Sequence, residues 1–283
     1  MQEGPNALAP LLEVSIGFRM YEVGLAYDMT KAYQSIATGE TEKHVRRIVW
    51  RWCNTASEWE VLAYNVVTFG DQIAGLVLEL VKRLASQLGQ GIDQEACEQI
   101  CSRTYVDDGA GGGTREQVER FRGKRVDGCF DGTVPQILGL VGLDLKVMVA
   151  SGDSDPEILA LMGEKLLGHV WRPTEDKLVF TVPVTLSTSR GKGQKVVETL
   201  TVEDIPCLPS MVLTKRMLLG FVMSLYDPMG LISPLTVVLK IKLRGLYGPT
   251  VELGWDDPLT PDLHEVWEEV IRLFLGIDEI VLD

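Results

Sequence analysis

Two adjacent carboxylates, Asp107 and Asp108, are the residues whose type and spacing best suit chemistry in this sequence. They follow Tyr105 and Val106, which favour a strand, and they precede Gly109, which favours a tight reversal. The pattern predicts a hairpin with both acids at its tip. Carboxylates this close repel each other, so one stays protonated unless a cation lies between them. A hard divalent cation would remove the repulsion, whereas turn chemistry alone is the alternative for an isolated Asp-Asp pair.

A run of glycines follows the two acids, from Gly109 to Gly113. The run does not close as Gly-x-Gly-x-x-Gly, and the preceding acids would repel a pyrophosphate, so we exclude a dinucleotide site. We predict a flexible hairpin and loop over these glycines.

The composition predicts an intracellular globular protein. The chain has 283 residues, 46% of them hydrophobic, which is enough for one large domain or two smaller ones. We find no apolar stretch of about 18 residues that would span a membrane, and no secretory signal at the N-terminus. Five scattered cysteines are typical of reduced thiols rather than disulfides or a zinc site.

The net charge of −13 argues against nucleic-acid binding, which relies on Lys and Arg. The basic residues are nevertheless clustered, in 43–51, 115–125 and 240–244, while acids concentrate beyond Gly248. Val45 to Trp52 alternates bulky and basic residues, which predicts a strand with a basic face. Contact with a nucleic-acid template and a merely solvated face remain open for it.

Tyr105-Val106-Asp107-Asp108 resembles the Tyr-x-Asp-Asp box of reverse transcriptases. The flanking sequence resembles more narrowly the Bel-Pao group of long-terminal-repeat retrotransposons, and residues 226–234 and 255–259 are similar to stretches that follow the palm in that group. The resemblance covers nearly the whole chain. It implies an RNA-directed DNA polymerase that uses two Mg²⁺ or Mn²⁺ ions, an RNA template, a DNA primer and deoxynucleoside triphosphates.

The resemblance also implies roles for residues outside the hairpin. Asp28 ends a predicted strand that starts at Val23, as the first palm motif does, and would be the third metal-binding and catalytic carboxylate. Tyr33 would be the steric gate beneath the incoming sugar, and Lys146 would lie near the leaving pyrophosphate. The structural alternatives are a helix cap for Asp28, a core aromatic for Tyr33 and a solvated strand face for Lys146.

Two further motifs come from the same resemblance. Phe69 and Gly70 lie in a segment similar to the next palm motif and would border the nucleotide and template, with a plain loop-to-helix junction as the alternative. Leu167, Gly168 and His169 resemble the hairpin that grips the primer end. No second metal ligand lies near His169 in the sequence, so contact with the primer or a place in the core is preferred for it over a metal site.

Periodic patterns predict the surrounding elements. A helix follows Gly70, and its apolar stripe is expected to face the core; the stripe comprises Ile73, Leu76, Val77, Leu80, Val81, Leu84 and Leu88. Ser187 to Lys195 is expected to be a polar loop that marks a domain boundary. Beyond it, helices are predicted to start at Thr214, Ser233-Pro234 and Thr260-Pro261.

We therefore expect an α+β fold. A right-hand polymerase palm, an antiparallel sheet with helices on one face, would occupy residues 1–185 with most of the fingers missing. A mostly helical thumb- or connection-like region would occupy 186–283, and the chain would stop before any ribonuclease H or integrase segment. We expect it in the cytoplasm, associated with particles, or in the nucleus, with other parts of the same polyprotein as further partners and no membrane.

Two other functions remain open at this stage. The chain could be a catalytically inactive retroelement remnant that serves as a protein- or nucleic-acid-interaction module. An unrelated Mg²⁺-dependent phosphotransferase would use the same acids without needing a primer strand.

Overall fold

The computed structural model describes residues 7–53, 55–163, 165–190, 194–248, 251–277 and 279–282. The chain divides into two compact units, residues 1–167 with 171–176 and residues 168–170 with 177–283. Helices and small antiparallel sheets occur together, which confirms the mixed α+β class. The boundary predicted between residues 185 and 186 stays a prediction.

Among the residues that are described, the first unit contains six α-helices, nine strands and two short 3-10 helices, Ala32–Ser35 and Glu42–Val45. The helices are α1 (Leu11–Phe18), α2 (Ala74–Gly89), α3 (Gln94–Ser102), α4 (Arg115–Arg122), α5 (Thr133–Gly139) and α6 (Pro156–Met162). The strands are β1 (Val23–Met29), β2 (Arg47–Trp50), β3 (Glu60–Ala63), β4 (Thr104–Tyr105), β5 (Asp108–Gly113), β6 (Arg125–Val126), β7 (Cys129–Phe130), β8 (Leu145–Ala150) and β9 (Lys165–Leu166).

A four-stranded antiparallel sheet in the order β4–β5–β1–β8 is the centre of this unit. Alternate residues of β1, namely Val23, Leu25, Tyr27 and Met29, belong to a core that is completed by α2, α3, α4 and α5. Side chains alternate across a strand, so Asp28 lies on the opposite face of the sheet from this core.

Strand β5 corrects the prediction of a flexible loop over Gly109 to Gly113. These glycines are buried and pair with β1 along the whole strand. A Cβ atom on Gly109 would collide with the ring of Tyr27, and one on Gly111 would collide with the side chain of Gln99. The glycines therefore let a buried ring and a helix side chain lie directly against the strand, which is a structural reason for glycine in a sheet interior.

Helix α2 has nearly the predicted bounds but packs through a different face. No residue of the predicted stripe is fully buried: Leu80, Leu84 and Leu88 are 53%, 47% and 57% exposed, and the other four are partly buried. The buried residues are instead Ala74, Leu78, Glu79, Lys82, Ala85, Ser86 and Gly89. A Cβ atom on Gly89 would collide with Ile137 of α5, so close helix packing selects the face with small residues.

Strand β10 (His169–Arg172) crosses from one unit to the other, and the remaining elements belong to the second unit. They are β11 (Lys177–Thr181), β12 (Val184–Arg190), β13 (Gln194–Leu200), α7 (Lys215–Ser224), α8 (Ser233–Gly245), α9 (Pro261–Leu275) and β14 (Glu279–Leu282). The predicted helix starts are confirmed, and the Thr214 hydroxyl caps α7 by accepting a hydrogen bond from Met217 N.

The residues from Ser187 to Lys195 were predicted to form a polar loop, and those that the structure describes lie instead in the antiparallel pair of β12 and β13, so the prediction of a loop was wrong. Val184 and Leu186 are buried in the core of the second unit, as is Leu200 on the partner strand. Burial of these alternate residues favours strand over loop despite the polar composition between them.

No helix among the described residues combines the length and the apolar composition needed to cross a membrane.

Candidate metal and nucleotide site

The hairpin that carries the two adjacent acids has the predicted place in the sequence. Strands β4 and β5 pair through Thr104 with Gly109 and Tyr105 with Asp108, which leaves Val106 and Asp107 as the turn. Val106 has a φ of 56°, a left-handed conformation that is costly for a β-branched residue. Strain of this kind persists only where the surrounding structure imposes it, and it is concentrated at functional sites.

The structure brings Asp28 to the same hairpin. Asp28 and Asp108 are direct partners in the pairing of β1 with β5, so their side chains share one face of the sheet. The backbone N–H of Met29 donates to Asp107 O at 3.2 Å, which ties the turn to the end of β1. Three carboxylates from two distant segments therefore lie at one end of the central sheet.

The electrostatics of the acids reflect this crowding. Burial, followed by the neighbouring charges of Asp107 and Asp28, raises the pKa of Asp108 to about 6. Burial and the charge of Asp28 also raise the pKa of Asp107. The half-exposed Lys146 ammonium lies 3.4 Å from Asp28 Oδ2.

The donor set suits a hard divalent cation that a substrate helps to bind. Among the described residues, no three or more His, Cys, Asp or Glu side chains are grouped closely enough to hold a metal by themselves. Mg²⁺, however, is usually bound by one or two carboxylates together with substrate phosphates. Asp28, Asp107 and Asp108 offer only oxygen donors. After burial, the charge of Asp28 contributes to the raised pKa of both Asp107 and Asp108, and a cation would relieve this repulsion.

Tyr33 and Phe69 form an aromatic pair in the same unit. Their ring centroids are 5.3 Å apart in an edge-to-face arrangement, and Phe69 is 72% exposed. Burial, followed by the charge of Asp107, raises the pKa of Tyr33. The Tyr33 hydroxyl therefore interacts electrostatically with the acidic hairpin. The adjacent Gly70 has a φ of 90° with open space around it.

The residues of the predicted primer grip form a turn and a buried ring. Leu167 and Gly168 have φ values of 50° and 84° and form the turn that precedes β10. The ring of His169 is buried between Phe180 and Tyr226, with centroids 4.2 Å and 5.4 Å away, and burial lowers its pKa. Contact of these residues with a primer stays a prediction.

A buried ion pair behind the hairpin is the feature that sequence reasoning missed. Lys82 Nζ lies 2.8 Å from Glu79 Oε2 and donates to Thr104 O at 3.1 Å, and the Lys82 side chain is fully buried. The Thr104 hydroxyl also bonds the phenol of the buried Tyr27 at 2.6 Å. The only sequence signal was the Glu79–Lys82 spacing on one helix face, which usually indicates a solvated pair.

A comparison with protein families gives a match. Residues 214–282 match the family model of the Pao retrotransposon-like RNaseH-like domain. The match supports a Bel-Pao retrotransposon origin and a nucleic-acid-related function. None of the curated proteins that were compared matches the chain.

The match also corrects one expectation. Residues 214–282 lie in the predicted thumb- or connection-like region, and their description as RNaseH-like contradicts our expectation that the chain stops before any ribonuclease H segment. The described part of the segment consists of α7, α8, α9 and β14. Two of its acids have structural partners, because Asp256 pairs with Arg216 and Asp227 accepts hydrogen bonds from backbone N–H groups at the start of α8.

Proposed function

We propose that this chain contains the palm of a retrotransposon reverse transcriptase, which extends a DNA primer on an RNA template with deoxynucleoside triphosphates. The observation that carries the proposal is the pairing of Asp28 with Asp108, with Asp107 in the adjoining turn. The resemblance of Tyr105 to Asp108 to the polymerase box and the retrotransposon match of residues 214–282 support it.

Asp28, Asp107 and Asp108 would hold two Mg²⁺ or Mn²⁺ ions. When bound, the ions supply positive charge that favours deprotonation of the primer 3′-hydroxyl and stabilises the leaving pyrophosphate. The remaining contributions of the protein are positioning and charge neutralisation, which dominate phosphoryl transfer. The Tyr33–Phe69 pair would limit the space at the sugar, and the half-exposed Lys146 ammonium would neutralise phosphate charge near Asp28.

Primer extension on an RNA template tests this proposal. Replacement of Asp107→Asn is expected to abolish metal-dependent extension and to weaken Mn²⁺ binding measured by electron paramagnetic resonance. Asp127→Asn is the matched control, because Asp127 is an exposed turn residue with a φ of 51° that Asn adopts equally well. Extension by the Asp107→Asn variant at the wild-type rate would refute the assignment.

The second candidate is an inactive remnant that serves as an interaction module. Two observations favour it: Lys146 already neutralises Asp28, and no three described metal-ligating side chains form a closed group. It predicts that the unmodified chain neither extends a primer nor binds Mn²⁺ at the hairpin. A primer-independent phosphotransferase would instead transfer phosphate in the same assay without any primer strand.

A further inference from the structure

The ribbon of β2 and β3 has no covering layer within the described part of the first unit. All eight residues of the two strands are exposed, although they pair in register from Arg47 with Ala63 to Trp50 with Glu60. A two-stranded ribbon with both faces in water gains little stability from burial. An arrangement that leaves large apolar side chains in water on both faces indicates a binding surface.

Three of the six tryptophans of the chain lie on this ribbon and its loop. Trp50, Trp52 and Trp59 are 42%, 61% and 62% exposed. The Arg51 guanidinium lies 4.4 Å from the centroid of the Trp59 ring, and Trp50 meets Trp52 edge to face. Indole rings and guanidinium planes presented together to solvent are the chemistry that stacks on nucleic-acid bases.

The charge of this segment differs from that of the rest of the chain. Residues 43–64 carry four basic and two acidic side chains, whereas the whole chain has a net charge of −13. Arg46 is buried against Asp71, which leaves the exposed Arg47 on the ribbon and the partly exposed Arg51 just after β2 as the arginines that a ligand can reach. A polyanion is therefore attracted locally to the ribbon and repelled by most of the remaining surface.

An open hollow joins the base of the ribbon to the aromatic pair of the candidate site. The ribbon continues through a bridge between Ala37 and Val66, next to the segments that carry Tyr33 and Phe69. The hollow has a volume of about 450 Å³, and its lining residues are Gln34, Tyr64, Val66, Thr68 and Phe69. It is large enough for a small-molecule-sized group such as a nucleotide.

We propose that this ribbon and the hollow at its base bind unpaired, single-stranded nucleic acid. Bases stack on Trp50, Trp52 and Trp59, while Arg47 and Arg51 pair with phosphates. If the chain is a polymerase, as proposed above, the bound strand is the template. Only this identification of the strand rests on the polymerase assignment. The binding itself requires neither a metal ion nor Asp107, so the two proposals fail separately.

Fluorescence anisotropy of a labelled oligouridylate, without divalent metal, tests the binding. The double substitution Trp52→Ala/Trp59→Ala is expected to weaken binding by about tenfold or more, because each indole removed loses the stacking energy of one base. Trp255→Ala is the matched control, since Trp255 is 48% exposed and carries Arg216 at 5.6 Å from its ring, as Trp59 carries Arg51. The control is expected to bind like the unmodified chain.

The salt dependence provides a second measurement that does not rely on aromatic substitutions. Arg47→Gln and Arg51→Gln are each expected to reduce the slope of log affinity against log salt by about 0.7, the value for one phosphate of a single strand. Arg216→Gln removes the same charge elsewhere and is expected to leave the slope unchanged. Single-stranded RNA and DNA are expected to bind alike, because stacking and phosphate contacts do not use the 2′-hydroxyl.

Three results would overturn the proposal. Equal binding of duplex and single strands would exclude stacking on unpaired bases. Unchanged affinity of both the tryptophan and the arginine variants, with thermal unfolding like that of the parent chain, would exclude the ribbon as the surface. If the tryptophan variant sediments differently from the parent chain but binds the oligonucleotide with the same affinity, the ribbon contacts a second copy of the chain instead.

Discussion

The buried pair of Lys82 and Glu79 leads to a sharp prediction about stability. Lys82→Met removes an ammonium that forms an ion pair with Glu79 Oε2 at 2.8 Å and donates a hydrogen bond to Thr104 O at 3.1 Å. The side chains of the pair are 0% and 2% exposed, so the variant leaves a carboxylate in the core. Arg83 approaches the other Glu79 oxygen at 3.5 Å but is itself half-exposed, so it compensates only in part.

The expected cost follows from these contacts. Leaving one partner of a buried ion pair uncompensated costs about 3–5 kcal/mol, and the nearby Arg83 places the expected loss in free energy of unfolding near the lower value. The double variant Glu79→Leu/Lys82→Met leaves no charge buried. It retains only the unpaired Thr104 carbonyl, which costs about 1–3 kcal/mol. The double variant is therefore expected to be more stable than Lys82→Met alone, by about 1 kcal/mol when the middle of its range is compared with the lower value for the single variant.

Urea unfolding followed by hydrogen exchange of the α2 and β4 amides measures the effect within the first unit. Arg272→Met is the control, because Arg272 pairs with Glu268 one helical turn away and the two side chains are 43% and 18% exposed. A pair that keeps this much contact with water contributes about 1 kcal/mol or less. A loss for Lys82→Met as small as that of the control, or a double variant less stable than the single one, would refute the structural role assigned to the pair.

Two further predictions concern the central sheet. The pKa of Asp108 is raised from 3.8 to about 6 in the folded chain, so its ionisation removes stability as the pH rises through this range. Asp108→Asn should therefore raise the free energy of unfolding by about 1–2 kcal/mol at neutral pH, after allowance for solvent screening. Below the pKa that Asp108 has in the unfolded chain, the substitution should have no effect. An effect that does not change with pH would contradict this prediction. Gly109→Ala should lower the free energy of unfolding by about 1–3 kcal/mol in urea titrations, because its Cβ would collide with Tyr27. Gly139→Ala should not lower it, because a Cβ atom on Gly139 has open space around it. Equal effects of the two substitutions would refute the packing argument.

Local patterns in the sequence were sufficient to place many elements. Helix starts at Thr214 and Pro261 are confirmed because a cap or a proline acts within a few residues of its own position. The face of α2 that packs was not predictable in this way. Periodicity finds the most apolar stripe, but the close approach of α3 and α5 selected the stripe of small residues around Ala85 and Gly89 and left Leu84 outside.

The strand formed by the glycines after Asp108 was also not predictable from local patterns. A glycine run has no apolar pattern, so sequence reasoning assigned it to a loop. Pairing with β1 and the ring of Tyr27 require strand geometry without side chains, and both partners come from a distant part of the chain. The burial of Lys82 could likewise not be predicted, because sequence patterns assign lysine to the surface.

The amino-acid sequence by itself determined the types and the order of the acids, the turn that carries Asp107 and the helix caps, because these depend on neighbouring residues. Only the tertiary structure decided that Asp28 lies opposite Asp108, which face of α2 is buried, and that the tryptophan ribbon remains in solvent. The physical reason is that strand register and helix packing are set by contacts between residues far apart in the chain, and hydrophobic periodicity does not specify those contacts.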